Sequence, residues 1–275
     1  MNIGFIGAGN MGGAIVRGYT WRGTLSANNN DSIFVYDSDA EKSASLAALG
    51  LPVSIADSLA QLSYLSDTIV LCVKPNIMGE VLDELAALFK SKAENKLIIS
   101  IAAGISISFI RSKLGADTKV VRVMPNTPAM VGEGMSAMSA SDGLSEIDRE
   151  AAEKLFRAVG RAIWVSEESM DIVTGISGSS PAYAYLYIEG LIRAGTEGGL
   201  SEETATILAA QSSIGAAKMV LENLGEVDPR QLCANVCSPG GTTIEAVNVL
   251  EAADFTETVN KAAKASAAKS KLMTK

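Results

Sequence analysis

The sequence predicts an α/β domain built on a parallel sheet, followed by an all-α domain. Short β-rich runs alternate with helical stretches through the first half, the pattern of strand–helix–strand units with right-handed crossovers. A glycine-rich loop joins the first strand to the first helix, and no strand pattern recurs after Glu167.

Residues 3–6, 32–36, 67–73, 96–101 and 119–124 read as strands, being β-branched and bounded by turn or polar residues. Between them, 12–20, 39–49, 77–89 and 106–114 read as helices. The run Ile69-Val70-Leu71-Cys72-Val73 is apolar throughout, as expected of a central strand covered on both faces. Asn28-Asn29-Asn30 reads as a solvated loop. Pro125-Asn126-Thr127-Pro128 stops the strand ending at Met124. Ser145-Glu146-Ile147-Asp148 has the capping-box pattern of a helix start; that helix ends near Gly160, and 161–165 reads as a final edge strand.

Helices then follow at about 181–199, 202–224, 229–236, 243–252 and 255–269. They are rich in Ala, Gly and Ser and poor in large aromatics. Small residues let helices approach closely, but about 110 such residues alone make a thin core. A second copy of the chain would supply the missing burial, so an intertwined homodimer is expected. The expected domains are 1–166 and 167–275.

Composition narrows the function. With 23 basic and 31 acidic side chains the net charge is −8, which attracts neither nucleic acid nor an anionic membrane. No run of about 18 or more apolar residues predicts a membrane span. The start, Met1-Asn2-Ile3-Gly4-Phe5-Ile6, has no basic, signal-like region. The three cysteines, Cys72, Cys233 and Cys237, read as reduced thiols, and a cytoplasmic protein is expected. Histidine is absent, and two thiols without further partners make no metal site.

Gly7-Ala8-Gly9-Asn10-Met11-Gly12 matches G-x-G-x-x-G between a strand and a helix. Gly7 permits the tight turn, Gly9 lets a pyrophosphate approach the backbone, and Gly12 lets helix and strand pack closely. The helix N-terminus then faces the phosphates, which makes the first domain a Rossmann-type dinucleotide-binding domain. The competing reading is a glycine turn kept only for packing. Asp37 ends the second strand, where a carboxylate would hydrogen-bond the adenosine ribose and favour NAD. No arginine is nearby to receive a 2′-phosphate, although Ser38 and Lys42 offer help, so the choice stays open. Cys72-Val73-Lys74-Pro75 should line the same crevice, unless its proline merely ends the strand.

The residues that are missing exclude much dinucleotide chemistry. Lactate-type dehydrogenases need a histidine acid, and zinc alcohol dehydrogenases need more thiols or a histidine. Short-chain dehydrogenases use Tyr-x-x-x-Lys, and none of the six tyrosines has lysine four residues on. A reduction that asks little of an acid remains, and a cyclic imine suits because its nitrogen is basic. Ser238-Pro239-Gly240-Gly241-Thr242-Thr243 leads into a helix, so exposed N–H groups could hold a carboxylate while Thr242 and Thr243 supply hydroxyls. An ordinary loop with a threonine cap is the plainer alternative. Ser177-Gly178-Ser179-Ser180-Pro181-Ala182-Tyr183 reads either as a wall of that pocket or as a plain helix start.

These motifs resemble the pyrroline-5-carboxylate reductases over nearly the full length. The shared blocks keep one order: Gly7-Ala8-Gly9-Asn10-Met11, Val73-Lys74-Pro75, Ser100-Ile101-Ala102-Ala103-Gly104, Met124-Pro125-Asn126-Thr127-Pro128, the Ser177 to Tyr183 block, and Cys237 through Thr243. The resemblance implies reduction of 1-pyrroline-5-carboxylate to L-proline, the last step of proline biosynthesis, usually with NADPH and with NADH as second option. It implies that Gly7, Ala8, Gly9, Asn10, Met11, Val73, Lys74, Pro75, Ala102, Ala103 and Gly104 hold the cofactor, with Asn126 near the nicotinamide; Asp37 and Cys72 join them on the strand-end readings above. It implies that Ser238, Gly240, Gly241, Thr242 and Thr243 hold the substrate carboxylate, that Thr243 offers its hydroxyl to the ring nitrogen, and that Glu167 lies near the substrate. It also implies a helical substrate-binding and dimerisation domain, in homodimers that often assemble into decamers.

Two departures stand out: Ser180 replaces a glycine of many members, and Asp37 is less friendly to a 2′-phosphate than a neutral residue. The competing enzyme class is a β-hydroxyacid or 6-phosphogluconate-type dehydrogenase, which needs a helical lysine as acid/base. Lys218, Lys261 and Lys264 are the candidates, but none lies in a glycine-serine motif of that kind. A non-catalytic sensor of dinucleotide ratio is the third reading.

Overall fold

A computed structural model describes residues 1–21, 31–89 and 96–275; the Asn28-Asn29-Asn30 tract lies outside them. Two compact units are present, Met1–Ser179 with Ala265–Lys275, and Ser180–Lys264. The loss of strand pattern places a boundary at 166/167, whereas compactness places it at 179/180. The reason is local: Met170 is buried in the first unit, and the Asn126 side chain there bonds the Ser177 carbonyl.

The first unit carries one eight-stranded sheet in the order β3-β2-β1-β4-β5-β6-β7-β8. Its strands are β1 (Asn2–Ile6), β2 (Ser32–Tyr36), β3 (Val53–Ile55), β4 (Thr68–Leu71), β5 (Leu97–Ser100), β6 (Lys119–Met124), β7 (Gly134–Ala140) and β8 (Gly160–Trp164). The expected parallel sheet holds except at one joint, where β7 runs antiparallel to β6. Residues of β4 and β5 are buried throughout, as their apolar runs require.

Helices cover both faces. On one lie α1 (Asn10–Trp21) and, later in the chain, a helix over Glu146–Arg157; Ile15, Tyr19, Leu155 and Phe156 pack there with Phe5 and Val121. Between these in sequence come α2 (Ala40–Ala47), α3 (Leu59–Leu65), α4 (Met78–Phe89) and α5 (Ile107–Leu114), which makes Glu146–Arg157 α6. Leu62, Leu82, Leu85 and Ile110 of α3, α4 and α5 pack with Ile69 and Ile98 on the other face. The capping box is formed: the Ser145 hydroxyl accepts from the Asp148 N–H, and the Asp148 carboxylate accepts from the Ser145 N–H.

Three elements of this unit had no sequence signal of their own. β3 is only Val-Ser-Ile, α3 is a short helix capped by Ser58, and β7 reads Gly-Met-Ser-Ala-Met-Ser-Ala with no β-branched residue. Its place is set by neighbours on both sides, β6 and β8, rather than by propensity. After β8 the chain turns through α7 (Met170–Val173) and a π-helical turn at Thr174–Gly178.

The second unit is helical, with α8 (Ser180–Glu197), α9 (Glu202–Glu222), α10 (Pro229–Val236), α11 (Thr242–Ala252) and the start of α12 (Phe255–Met273). Small residues do bring helices together: a Cβ added at Gly195 of α8 would lie 2.8 Å from the Cβ of Ala205 in α9. In the single chain Leu186, Ile207, Leu208, Leu224 and Val249 of this unit are largely exposed. Among the described residues no helix is long and apolar enough to cross a membrane.

Candidate active site

The strand order reverses beside β1, which lies between β2 and β4, so the carboxyl ends of these strands frame a crevice. A cavity of about 220 Å³ opens there, lined by Gly7, Gly9, Asp37, Cys72, Val73 and Lys74 among others. Gly7 has φ +103°, and a Cβ on it would lie 2.8 Å from the Cys72 carbonyl oxygen. A Cβ on Gly12 would run into the Gly7 carbonyl oxygen and the Cys72 side chain, so α1 packs on its loop only without one. At Gly9 an added Cβ would meet nothing within 4 Å, which leaves the loop backbone open to the crevice. Asn10 and Met11 form the first turn of α1, whose N–H groups point the same way.

Asp37 does more than end β2. Its Oδ2 accepts the Ala8 N–H at 2.8 Å and its Oδ1 the Asp39 N–H at 2.9 Å, so the carboxylate braces the glycine loop from below. Ser38 and Lys42 line the same cavity. Ile77 and Val81 line it as well; sequence reasoning passed them over, although an apolar pair one helical turn apart after Lys74-Pro75 marks them. Burial pushes the Cys72 thiol up, which keeps it neutral and makes it a packing group under Gly12.

Ala102, Ala103 and Gly104 follow β5, the next strand end along the sheet. Asn126 and Glu167 are in the same unit but are spoken for. The Asn126 amide donates to the Ser177 carbonyl at 3.0 Å and accepts the Met135 N–H at 2.8 Å. Glu167 Oε1 accepts the Ile107 N–H at 2.8 Å, at the start of α5, and lies 3.2 Å from the buried Arg122 guanidinium. Both side chains therefore fasten distant segments of the first unit.

In the second unit, Ser238-Pro239-Gly240-Gly241 links α10 to α11, turning at Gly240 with φ +70°. Helices α3, α5, α6, α9 and α10 begin under a side-chain cap from Ser58, Ser106, Ser145, Ser201 and Asp228. α11 begins on Gly241 with no side-chain cap, so its first N–H groups face outward without one. Thr242 and Thr243 occupy that first turn and are exposed. A helix start of this kind suits a carboxylate, with hydroxyls to hand. Lys218, the lysine a competing acid/base mechanism would need, is exposed on α9.

Comparison with known proteins adds family models and full-length relatives. Residues 167–273 match the model described as pyrroline-5-carboxylate reductase dimerisation, and residues 2–104 match NADP oxidoreductase coenzyme F420-dependent. The pyrroline-5-carboxylate reductase of Escherichia coli (strain K12) is 41% identical, over 92% of this chain and 91% of its own length. That of Haemophilus influenzae is 41% identical over 98% of this chain and 97% of its own. Among solved structures, the pyrroline-5-carboxylate reductase of Coxiella burnetii superposes with a TM-score of 0.89 at 36% identity, covering 100% of this chain and 98% of that one. The Plasmodium falciparum pyrroline carboxylate reductase with NADP bound gives 0.84 at 34% identity, again over 100% of this chain and 98% of the other.

Proposed function

The chain belongs to the pyrroline-5-carboxylate reductase family, and from that premise we propose that it reduces 1-pyrroline-5-carboxylate to L-proline with NADPH, NADH being the second option. Identity spread over nearly the whole chain, from the glycine loop to the uncapped start of α11, is the observation that carries this reading.

The first unit fits a dinucleotide: its loop is open at Gly9, and a cavity of about 220 Å³ lies between that loop, Asp37 and Val73-Lys74. We assign Gly7, Ala8, Gly9, Asn10, Met11, Asp37, Cys72, Val73, Lys74, Pro75, Ala102, Ala103 and Gly104 to the cofactor. Asn126, with its amide engaged on both sides, would shape the nicotinamide end rather than reach for it. When bound, the reduced dinucleotide supplies hydride to the imine carbon.

The residues of 238–243 do the rest. The N–H groups at the start of α11 hold the substrate carboxylate, with Ser238, Gly240, Gly241 and Thr242 shaping the turn around it. The Thr243 hydroxyl hydrogen-bonds the ring nitrogen and fixes the proton there as the imine becomes an amine. No imidazole is needed, because an iminium carbon is already electrophilic and the enzyme's main contribution is orientation. Glu167, engaged with the Ile107 N–H and Arg122, would act on the substrate through the segments it holds.

We further assign the working form as a homodimer through the helical domain of residues 167–275, with a decamer as the larger assembly, and the compartment as the cytoplasm. The exposed apolar side chains of α8 and α9 and the free thiols of all three cysteines support this. The test is to mix the protein with pyrroline-5-carboxylate and follow the loss of reduced-nicotinamide absorbance, measuring proline separately. Dinucleotide binding with no turnover would identify a sensor instead. Loss of activity in Lys218→Met would identify a hydroxyacid-type mechanism.

A further inference from the structure

We propose that the carboxyl-terminal residues 270–275 form a strap that positions the dinucleotide-binding segment 102–106; this rests on the assignment of Ala102, Ala103 and Gly104 to the cofactor. The Lys275 N–H donates to the Gly104 carbonyl at 2.8 Å, and the Lys275 carbonyl accepts the Ser106 N–H at 3.3 Å. The tail thus grips residue 105 from both sides through its main chain. Gly104 has φ +72°, and a Cβ on it would lie 2.9 Å from the Met273 carbonyl oxygen, so loop and strap touch backbone to backbone.

The strap is itself anchored. The Ser270 hydroxyl, buried, donates to Asp171 Oδ1 at 2.7 Å, and the Thr274 hydroxyl reaches the same oxygen at 3.4 Å. One turn earlier, Ser266 and Ser179 share a hydrogen bond of 2.8 Å. All these residues lie in the first unit.

The physical need is plain. Ala102 and Ile105 are buried in the core, but between them Ala103 offers only a methyl group and Gly104 only a hydrogen, so side chains do little to fix the stretch that joins them. Two hydrogen bonds from an anchored tail supply what the side chains lack. A binding loop ordered beforehand spends less of its interaction energy on ordering, which tightens affinity without altering the chemical step. Residues 270–275 are therefore positioning residues, acting on the cofactor through Gly104 and Ser106.

The test uses the full chain with Lys275→Pro, which removes the N–H, and Lys275→Ala, which loses the same side chain but keeps the N–H. Dissociation constants for NADPH and NADH, KM values and kcat would be measured, together with amide hydrogen exchange over residues 100–108. In Lys275→Pro we expect faster exchange in that peptide, dinucleotide affinity weakened about five- to tenfold, and kcat and the imino-acid KM within about twofold of wild type. Lys275→Ala is the rescue and keeps wild-type affinity. Asp171→Ala, which frees the anchor, should weaken the dinucleotide in the same way. Unchanged exchange in Lys275→Pro would show that the tail does not hold the loop and would overturn the proposal while leaving the cofactor assignment intact. Faster exchange with unchanged affinity would overturn both, by showing that 102–104 does not hold the dinucleotide.

Discussion

On the proposed assignments, the hydroxyl of Thr243 and the carboxylate of Asp37 divide the labour at the residue scale. Thr243→Ala is expected to lower kcat by about a hundredfold, the low end of general acid–base contributions, with dinucleotide affinity retained. Steady-state kinetics beside a cofactor titration would show it, and unchanged turnover would remove the proposed proton partner. Asp37→Ser should raise the NADPH-to-NADH preference by about tenfold or more. A carboxylate a few ångströms from a 2′-phosphate repels it by between about 1 and 4 kcal/mol. A kcat/KM ratio that does not move would mean Asp37 serves only the Ala8 N–H it accepts. The glycine loop was legible because its spacing between a strand and a helix is a local signal, although the close approach that Gly7 and Gly12 permit is to Cys72 across the sheet. Asn126 and Glu167 were not, since their partners Ser177 and Ile107 lie 51 and 60 residues away. Nothing in either residue type announces which of many distant amides it will meet.

Gly12 shows at the level of elements how sequence becomes packing, because α1 approaches β1 closely enough that a methyl group collides with the Gly7 carbonyl. Gly12→Ala should therefore destabilise the first unit by about 1–3 kcal/mol, the usual range for overpacking, and weaken dinucleotide binding along with it. Chemical denaturation and a cofactor titration would measure the two together. Elements with strong apolar runs, such as β4 and β5, were readable in advance because burial on both faces forces that composition. β7 was not, and with it went the one antiparallel joint in the sheet. Its Ser and Ala residues are held by the strands on either side, a tertiary cause that leaves no local trace.

For the molecule as a whole, acid stability turns on Asp31. Burial works against its charge, but hydrogen bonds from Lys154, the amino terminus and Tyr19 hold its pKa at about 2, below the ordinary 3.8. A carboxylate whose folded pKa is lowered stabilises the fold fully above its unfolded pKa and loses that contribution as pH falls through the folded value. The window is therefore about pH 4 down to pH 2, and a shift of this size amounts to about 2 kcal/mol. Urea unfolding across that range should show wild type losing stability faster than Asp31→Asn; parallel slopes would discount the cluster. Assembly is the other whole-molecule property. Leu186→Glu together with Leu208→Glu, on side chains 68% and 57% exposed in the single chain, should sediment as a monomer if these faces join two copies. The Ala-, Gly- and Ser-rich composition raised the expectation of a partner, but it could not name the faces that would meet one.

The bare first turn of α11 has a thermal counterpart. A side-chain cap usually contributes about 1 kcal/mol, so the free protein forgoes that much at Gly241, and on the proposed assignment a bound carboxylate would restore it. L-Proline should therefore raise the melting temperature, while prolinamide, which carries no negative charge, should leave it nearly where it was. On the proposed assignment, heat resistance and catalysis would draw on the same peptide groups, and a substitution that satisfied them permanently would toughen the enzyme while closing it to its substrate.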